Sequence, residues 1–298
     1  MAKRKSKHKK YVGYILFSIL LTAALLYYRF PSEALKTYVQ RTAEEMSPHY
    51  QVYIEDAQVA FPLGIHLSTT TVAAKDRPGT RLFIADTLSI RPEIVSLLRG
   101  KSAYAFDCVA YSGDLKGTVR FENRSTAAPF TTTMALSDIH MADYDYLSTL
   151  IGRNVKGILD GTLTYKGQKD LLMNGTGEAD LKISNGWVQL LEPIFGLEAF
   201  RFDTLRIRML LEKQRINLTN VELEGPELKG TLSGTVSLRK DFAGSRLSLR
   251  GSIEPLEGMF RGEKEGTDAM KLLKRGLRRG KISFVIRGTP GDPRIRFI

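Results

Sequence analysis

Histidine and cysteine, two residue types that often carry catalysis or metal binding, are few in this 298-residue chain, which has four scattered histidines and one cysteine. Its single cysteine, Cys108, has no histidine near it in sequence, and no cysteine–histidine pair has the spacing of metal ligands. The chain also lacks the spacings of the GxSxG, P-loop, GxGxxG, HExxH and EF-hand motifs. Each of those motifs needs its residues on one defined turn or helix face. We therefore predict that the protein is not an enzyme and carries no cofactor and no metal.

The charge is strongly positive but unevenly distributed. The chain has 44 Lys and Arg against 32 Asp and Glu, a formal net charge of +12. Half of this excess precedes Tyr11, where no acidic residue offsets six basic ones: Lys3, Arg4, Lys5, Lys7, Lys9 and Lys10. Such a cluster next to an apolar run is a membrane topology signal that stays in the cytoplasm. We therefore expect no nucleic-acid partner, although overall basicity alone suggests one.

A membrane anchor is predicted over residues 11–30. The uncharged run YVGYILFSILLTAALLYY ends at Arg29 and is long enough to cross a bilayer as a helix. Tyr11 and Tyr14 at one end, and Tyr27 and Tyr28 at the other, fit the aromatic belts at the two membrane interfaces. The basic cluster orients this anchor, so everything after Phe30 is expected to lie across the membrane.

A cleaved signal peptide is the alternative interpretation of the same run. Thr22 and Ala24 could serve as the small residues of a cleavage site. The apolar run continues past them for four residues, which favours an uncleaved anchor.

The remainder of the chain is predicted to be mainly β. A short amphipathic helix over residues 31–46, with Leu35, Tyr38 and Val39 on one face, fills the juxtamembrane segment at 31–50. Period-two alternation then dominates the β-rich domain at 51–298. It is clearest between Arg201 and Pro255, where strands separated by short polar turns indicate an antiparallel meander with a slip at Asn220.

Helices are predicted at only four places in this domain, over residues 92–99, 143–151, 187–196 and 267–279. In the last of these, Met270, Leu273 and Leu277 share a narrow apolar face. Five basic residues line the rest of it, as candidate surface contacts: Lys271, Lys274, Arg275, Arg278 and Arg279. This helix either lies on an anionic membrane or packs over the sheet with its cations solvated. Its narrow apolar face and Gly276 favour the second interpretation.

Four helices are too few to cover so much sheet. The apolar faces must cover each other, curl into a groove, or remain open as a binding surface. Recurrent glycines, among them Gly157, Gly161 and Gly234, suit turns, bulges or close backbone approaches in a curved sheet.

These glycine-rich strand segments resemble two related groups of envelope proteins. The phrases GILDGTLTYKG, GEADLKISNGWVQLLEPIFGL, INLTNVELEGPELKGTLSGTVSL and LRGSIEP are similar to AsmA-like proteins. The whole layout, from the basic start and single apolar helix to the closing KISFVIRGTPGDPRIRF, more closely resembles the type II secretion system protein N (GspN) family. The likeness is strongest from about residue 156 to the last residue.

The resemblance implies a single-pass protein of a Gram-negative inner membrane, with its N-terminus cytoplasmic and its bulk periplasmic. It implies a curved antiparallel sheet or groove that acts structurally, by contacts with other type II secretion components. The AsmA-like alternative implies a groove that binds or conducts lipid. Neither group contributes catalytic residues to this sequence.

Overall fold

A computed structural model describes most of the β-rich domain and part of the N-terminal region. The described residues are 11–15, 17–18, 21–22, 31–46, 49–60, 63–76, 79–125, 127–194, 197–239, 242–256 and 280–298.

Fourteen strands account for most of the described chain. They are β1 (Tyr50–Val59), β2 (Ile65–Ala74), β3 (Arg81–Pro92), β4 (Ala103–Ala110), β5 (Gly113–Phe121), β6 (Phe130–His140), β7 (Val155–Gly167), β8 (Thr176–Ile194), β9 (Leu197–Glu212), β10 (Arg215–Glu224), β11 (Leu228–Ser237), β12 (Arg246–Pro255), β13 (Ile282–Thr289) and β14 (Asp292–Phe297). Three α-helices accompany them: α1 (Ser32–Met46), α2 (Ile94–Leu98) and α3 (Asp145–Ile151). Short 3-10 helices lie at Met141–Asp143, Lys169–Asn174 and Phe242–Gly244.

The fourteen strands form one sheet in simple chain order. Each strand pairs antiparallel with its sequence neighbours, from β1 at one edge to β14 at the other. The mainly-β prediction and the antiparallel meander between Arg201 and Pro255 are therefore confirmed. The predicted slip at Asn220 is a bulge between Leu218 and Val221. Lys213 and Gln214 form the polar turn before it with positive φ, as a tight hairpin turn requires.

Helix α1 covers the first strands and confirms the helix predicted over residues 31–46. Its Leu35 and Val39 pack against a buried cluster of Ile54, Ala57 and Leu67. Tyr38, predicted to share their face, is instead 70% exposed. Positions 35 and 39 are four residues apart and lie above one another, whereas position 38 is rotated towards solvent at the margin of the apolar stripe.

Two of the three testable helices of the β-rich domain are confirmed, and one is wrong. Helix α2 lies inside the predicted 92–99 segment, and α3 ends where the 143–151 prediction ends. The predicted helix over 187–196 is instead the end of β8, which pairs with β7 and β9. A short, mainly apolar segment without clear alternation does not distinguish a helix from a strand paired on both sides.

The predicted anchor and the basic helix lie largely outside the described residues. Residues 11–15, 17–18 and 21–22 are helical, with Tyr11 and Tyr14 exposed. Among the described residues, no helix is both long and apolar enough to cross a membrane. Three groups of predicted residues lie outside the described residues: the basic cluster before Tyr11, the second tyrosine pair with Arg29, and the 267–279 helix. Their members are Lys3, Arg4, Lys5, Lys7, Lys9, Lys10, Tyr27, Tyr28, Arg29, Lys271, Lys274, Arg275, Arg278 and Arg279.

Several glycines sit opposite aromatic side chains on the neighbouring strand. Gly117 is the cross-strand partner of Phe106, and Gly251 that of Phe284. In each pair the ring lies over the glycine, where an added Cβ would approach the ring within 2.6 Å. The ring thus covers backbone that the glycine would otherwise expose, an arrangement that pins strand register. Other glycines serve the predicted bulges, since Gly157 has a φ of 149° where the β7–β8 register shifts.

We expect Gly117→Ala to destabilise the fold by about 1–3 kcal/mol, because the new methyl would meet the Phe106 ring and the carbonyl of Thr133. Gly230→Ala is the matched control, since the nearest atom to its added Cβ is 3.7 Å away. The control should be neutral or slightly stabilising, by at most about 1 kcal/mol. Denaturant unfolding of both variants tests this, and equal stabilities would refute the ring-over-glycine account.

Candidate functional site

Two unbroken rows of apolar residues cross the whole sheet, at right angles to the strands. Each row takes one residue from every strand, and every member is apolar or glycine. The Ala57 row is Ala57, Leu67, Leu88, Cys108, Leu115, Leu136, Gly161, Leu181, Ile207, Val221, Leu232, Gly251, Phe284 and Phe297. The Val59 row is Val59, Ile65, Ile90, Phe106, Gly117, Met134, Leu163, Ala179, Met209, Leu218, Gly234, Leu249, Ile286 and Ile295.

The two rows share one side of the sheet, which we call the apolar face. Side chains two apart on a strand point the same way, and the residue between them points to the other side. The intervening row on the opposite side is polar apart from one alanine across ten strands: Gln58, His66, Ser89, Asp107, Lys116, Ala135, Thr162, Asp180, Arg208 and Asn220. We call that side the polar face.

Cover for the apolar face is uneven. At the β1 end α1 lies over it, and a second buried cluster of Ala85, Cys108 and Ala110 follows. From β5 onwards the large side chains of the Ala57 row, such as Leu115, Leu181 and Ile207, are only half-buried. In the described part of the chain no second layer lies over these strands, which contact chiefly their sheet neighbours. A long, partly accessible apolar surface is typical of a binding surface.

Aromatic side chains line the apolar face near both ends of the central strands. Tyr104, Phe121, Phe130 and Tyr165 come from β4 to β7 in turn, with successive ring centroids 6.5, 5.8 and 5.8 Å apart. Burial raises the pKa of Tyr165, so its hydroxyl stays neutral at physiological pH. Such a ladder offers broad, rigid apolar contact with a few polar tips.

The opposite ends of these strands carry a second aromatic group. Tyr111 meets Phe83 at 5.9 Å and Tyr144 at 5.0 Å between ring centroids. The Tyr111 hydroxyl accepts a hydrogen bond from the Ile84 N–H at 2.9 Å. Burial raises the pKa of both Tyr111 and Tyr144, so this group too remains uncharged. The face between the two groups is therefore bounded by aromatic rings.

The polar face carries exposed ion pairs between neighbouring strands. Arg208 Nε lies 3.0 Å from Asp180 Oδ2, and Lys281 Nζ lies 3.6 Å from Glu254 Oε2. Exposed pairs of this kind contribute at most about 1 kcal/mol each. Their main effect is that this side of the sheet stays hydrated, so the apolar surface is offered on the other side.

Two groups of polar side chains that could do chemistry stand out in the described structure, and neither has the arrangement of a catalytic triad. His140 Nδ1 lies 4.0 Å from Asp143 Oδ2, which accepts a hydrogen bond from Ser112 Oγ at 2.7 Å, so the carboxylate and not the imidazole contacts the hydroxyl. His66 Nδ1 lies 2.8 Å from Ser89 Oγ, but this pair has no carboxylate hydrogen-bonded to it among the described residues. The described residues contain no group of three or more His, Cys, Asp and Glu that could hold a metal ion. The prediction that the protein is not an enzyme stays a prediction. The arrangement as described is suited to binding.

Of the predicted site residues, the structure places only Tyr11 and Tyr14, both exposed and far in sequence from the apolar face. The apolar face itself was expected only in general terms. Its two continuous rows depend on the register of thirteen strand pairs, which alternation within single strands does not reveal.

Comparison with protein-family models, with curated proteins and with solved structures finds no match to this chain.

The Cys108 thiol provides a direct probe of the covered end of the apolar face. Burial, together with the nearby charge of Asp86, raises its pKa to about 11. We expect it to resist alkylation at neutral pH until the sheet unfolds. Val109→Cys in a Cys108→Ala background is the matched control, since Val109 is exposed on the polar face and should react at once.

The same pKa has a consequence for stability. A thiol in the unfolded chain ionises near pH 8.5, well below the folded value. The folded state therefore gains from the protonated thiol at neutral pH and loses that contribution as pH rises towards about 11. Cys108→Ala should remove this alkaline loss in denaturant unfolding followed against pH. An unchanged pH dependence would contradict the buried placement.

Proposed function

We propose that the protein is an inner-membrane-anchored periplasmic component of a type II protein secretion apparatus, acting structurally through protein contacts. The pair of apolar rows that crosses all fourteen strands carries this proposal from the structural side. The resemblance of the sequence to the type II secretion system protein N family supplies the system in which such contacts would be made.

The geometry supports a binding role over turnover for a physical reason. When a partner covers a half-buried apolar surface and removes it from water, binding becomes more favourable by about 25 cal/mol per Å² of apolar area buried. Large side chains of this kind recur on successive strands, as with Leu181, Ile207 and Val221, so a partner can lie across many strands at once. Fourteen strands spaced by about 4.8 Å give an extent of roughly 60 Å along the sheet.

Secretion in the host tests the proposal. Deleting the gene is expected to leave normally secreted enzymes in the periplasm, and normal secretion in the deletion strain would contradict the proposal. Complementation with Met209→Gln should fail or be weakened, because Met209 lies in the Val59 row between Ala179 and Leu218.

Leu210→Gln is the matched control for that experiment. Leu210 is the next residue of β9, is 42% exposed and points to the polar face, opposite Glu178 and Asn217. It should complement fully. Both substitutions should cost at most about 1 kcal/mol of folding stability, so a difference between them reports on the apolar face.

A second candidate function is lipid binding, as the AsmA-like resemblance suggests. The continuity of the rows favours it, since an acyl chain needs an unbroken apolar track and no polar residue interrupts either row. In this alternative the sheet curls into a groove that binds or conducts lipid.

Photo-crosslinking separates the two functions. A benzophenone amino acid at position 209 in the full chain should form adducts in the envelope, and one at position 210 should form few. Mass spectrometry then identifies the adduct. Secretion proteins bound at position 209 support the apparatus, and lipid bound there supports the groove. Equal yields at both positions would contradict any role for the apolar face.

A further inference from the structure

One end of the sheet carries a concentration of exposed aliphatic side chains. In an antiparallel meander every second connection lies at the same end, so the β1–β2, β3–β4, β5–β6 and β7–β8 connections share one rim. We call it the α2 rim, because α2 lies in the β3–β4 connection. Six large aliphatic side chains there are between 48% and 82% exposed: Leu63, Ile94, Val95, Leu98, Leu171 and Leu172. The described connections at the opposite rim contribute none to the exposed aliphatic side chains.

Helix α2 carries three of these six exposed side chains. It has only five residues, none of them buried, and Leu98 is 82% exposed. A helix this short has little stability of its own. Here Glu93, just before the helix, accepts hydrogen bonds from Arg120 Nη2 and Ser96 Oγ, each at 3.0 Å. The polar contacts thus hold the helix in place while Ile94, Val95 and Leu98 face solvent.

The connections at this rim touch one another and form a continuous surface. Ser102 after α2 donates its N–H to the Asn123 carbonyl at 3.3 Å. Gln168 Nε2, before the 3-10 helix that holds Leu171 and Leu172, donates to the Ala127 carbonyl at 3.5 Å. The β1–β2 connection also lies against the end of β3, since a Cβ added to Gly64 would be only 2.9 Å from the Ile90 carbonyl.

The same surface is basic. Exposed cations on these connections are Arg99, Lys101, Arg124 and Lys169. None of the four lies within ion-pair distance of a carboxylate in the part of the chain that the structure describes. Three acidic residues share these connections: Glu93, which binds Arg120; Glu122, which lies 3.5 Å from Lys166; and Asp170, which follows Lys169 in sequence. The surface therefore combines solvent-facing aliphatic side chains with unpaired positive charge.

Helix α1 brings the preceding chain to the same rim. Only three residues separate Met46 from Tyr50, so α1 ends where β1 begins. Because its Leu35 and Val39 pack on the Ile54–Ala57 region, α1 runs back along β1. Its first residue, Ser32, therefore lies towards the end of β1 that reaches the α2 rim. The anchor predicted before Ser32 would place a bilayer on that side.

We propose that the α2 rim docks on an anionic lipid bilayer, with its aliphatic side chains in the interface and its four cations among the headgroups. Aliphatic insertion combined with Lys and Arg contacts is how peripheral surfaces bind anionic membranes. A bilayer also fits the lateral spread of the six side chains over eight strands, because acyl chains conform to any spacing and need no matching pockets. This inference adds an orientation to the proposed inner-membrane component.

Site-specific fluorescence in the full chain tests the docking. An environment-sensitive probe is attached at Leu98→Cys in a Cys108→Ala background. The protein is reconstituted into phosphatidylcholine vesicles with about 30% phosphatidylglycerol. We expect blue-shifted emission and strong quenching by lipid-borne doxyl groups. Val109→Cys is the matched control, because Val109 is also exposed but lies at the far end of the neighbouring strand β4, and its probe should stay unquenched.

One further measurement separates the possible outcomes. A probe at Tyr14→Cys reports the proposed anchor, so quenching there but not at Leu98 overturns the docking alone. Quenching at Leu98 without quenching at Tyr14 supports the docking and contradicts the anchor. The vesicles contain no other protein, so a rim made for a protein partner would leave Leu98 unquenched.

Charge substitutions test the anionic part of the inference. The pair Arg99→Glu and Lys101→Glu should reduce quenching at Leu98, and pure phosphatidylcholine vesicles should have the same effect. The pair Lys75→Glu and Lys229→Glu, at the opposite end of the sheet, is the control and should change nothing. If quenching at Leu98 were unchanged both by these charge substitutions and by pure phosphatidylcholine vesicles, the assignment of anionic headgroups would be overturned.

Discussion

Strand register is the constraint on which the rest of this structure depends. Side chains alternate sides along a strand, so a slip of one residue moves a whole strand's apolar set to the polar face. Both apolar rows survive thirteen successive pairings, including irregular ones. For example, Val221, the first apolar residue after the bulge that follows Leu218, still pairs with Ile207 on β9 and Leu232 on β11. The bulge absorbs the extra residue and the face remains continuous.

The devices that hold register also explain why a single layer can persist. Phe106 over Gly117 and Phe284 over Gly251 fit in only one alignment, since an ordinary side chain in place of the glycine would collide with the ring. Among the described residues, the buried clusters lie at the β1–β4 end, where α1 packs over the first of them. The remaining strands rely on cross-strand contacts along the rows. A sheet built this way keeps its shape while leaving one face accessible.

The sequence predicts elements well here and their lateral relations poorly. Alternation at Leu205, Ile207, Met209 and Leu211 identifies a strand because the pattern lies within one segment. The mainly apolar segment at the end of β8 predicts a helix instead, because its apolar residues do not alternate with polar ones. The two rows and the α2 rim could not be predicted in detail. Both depend on which residues of distant segments end up side by side, and that is decided jointly by turn lengths and bulges.

The α2 rim and the apolar rows have a fixed geometric relation. The rows run across the strands, and the rim joins strand ends, so rows and rim run in the same general direction along the sheet. If the rim rests on a bilayer, the rows extend alongside the membrane surface and do not point away from it. A partner on the apolar face would then lie beside the membrane. That orientation suits lateral contacts within an inner-membrane assembly better than a conduit across the periplasm, because an extent of roughly 60 Å would be laid along the bilayer.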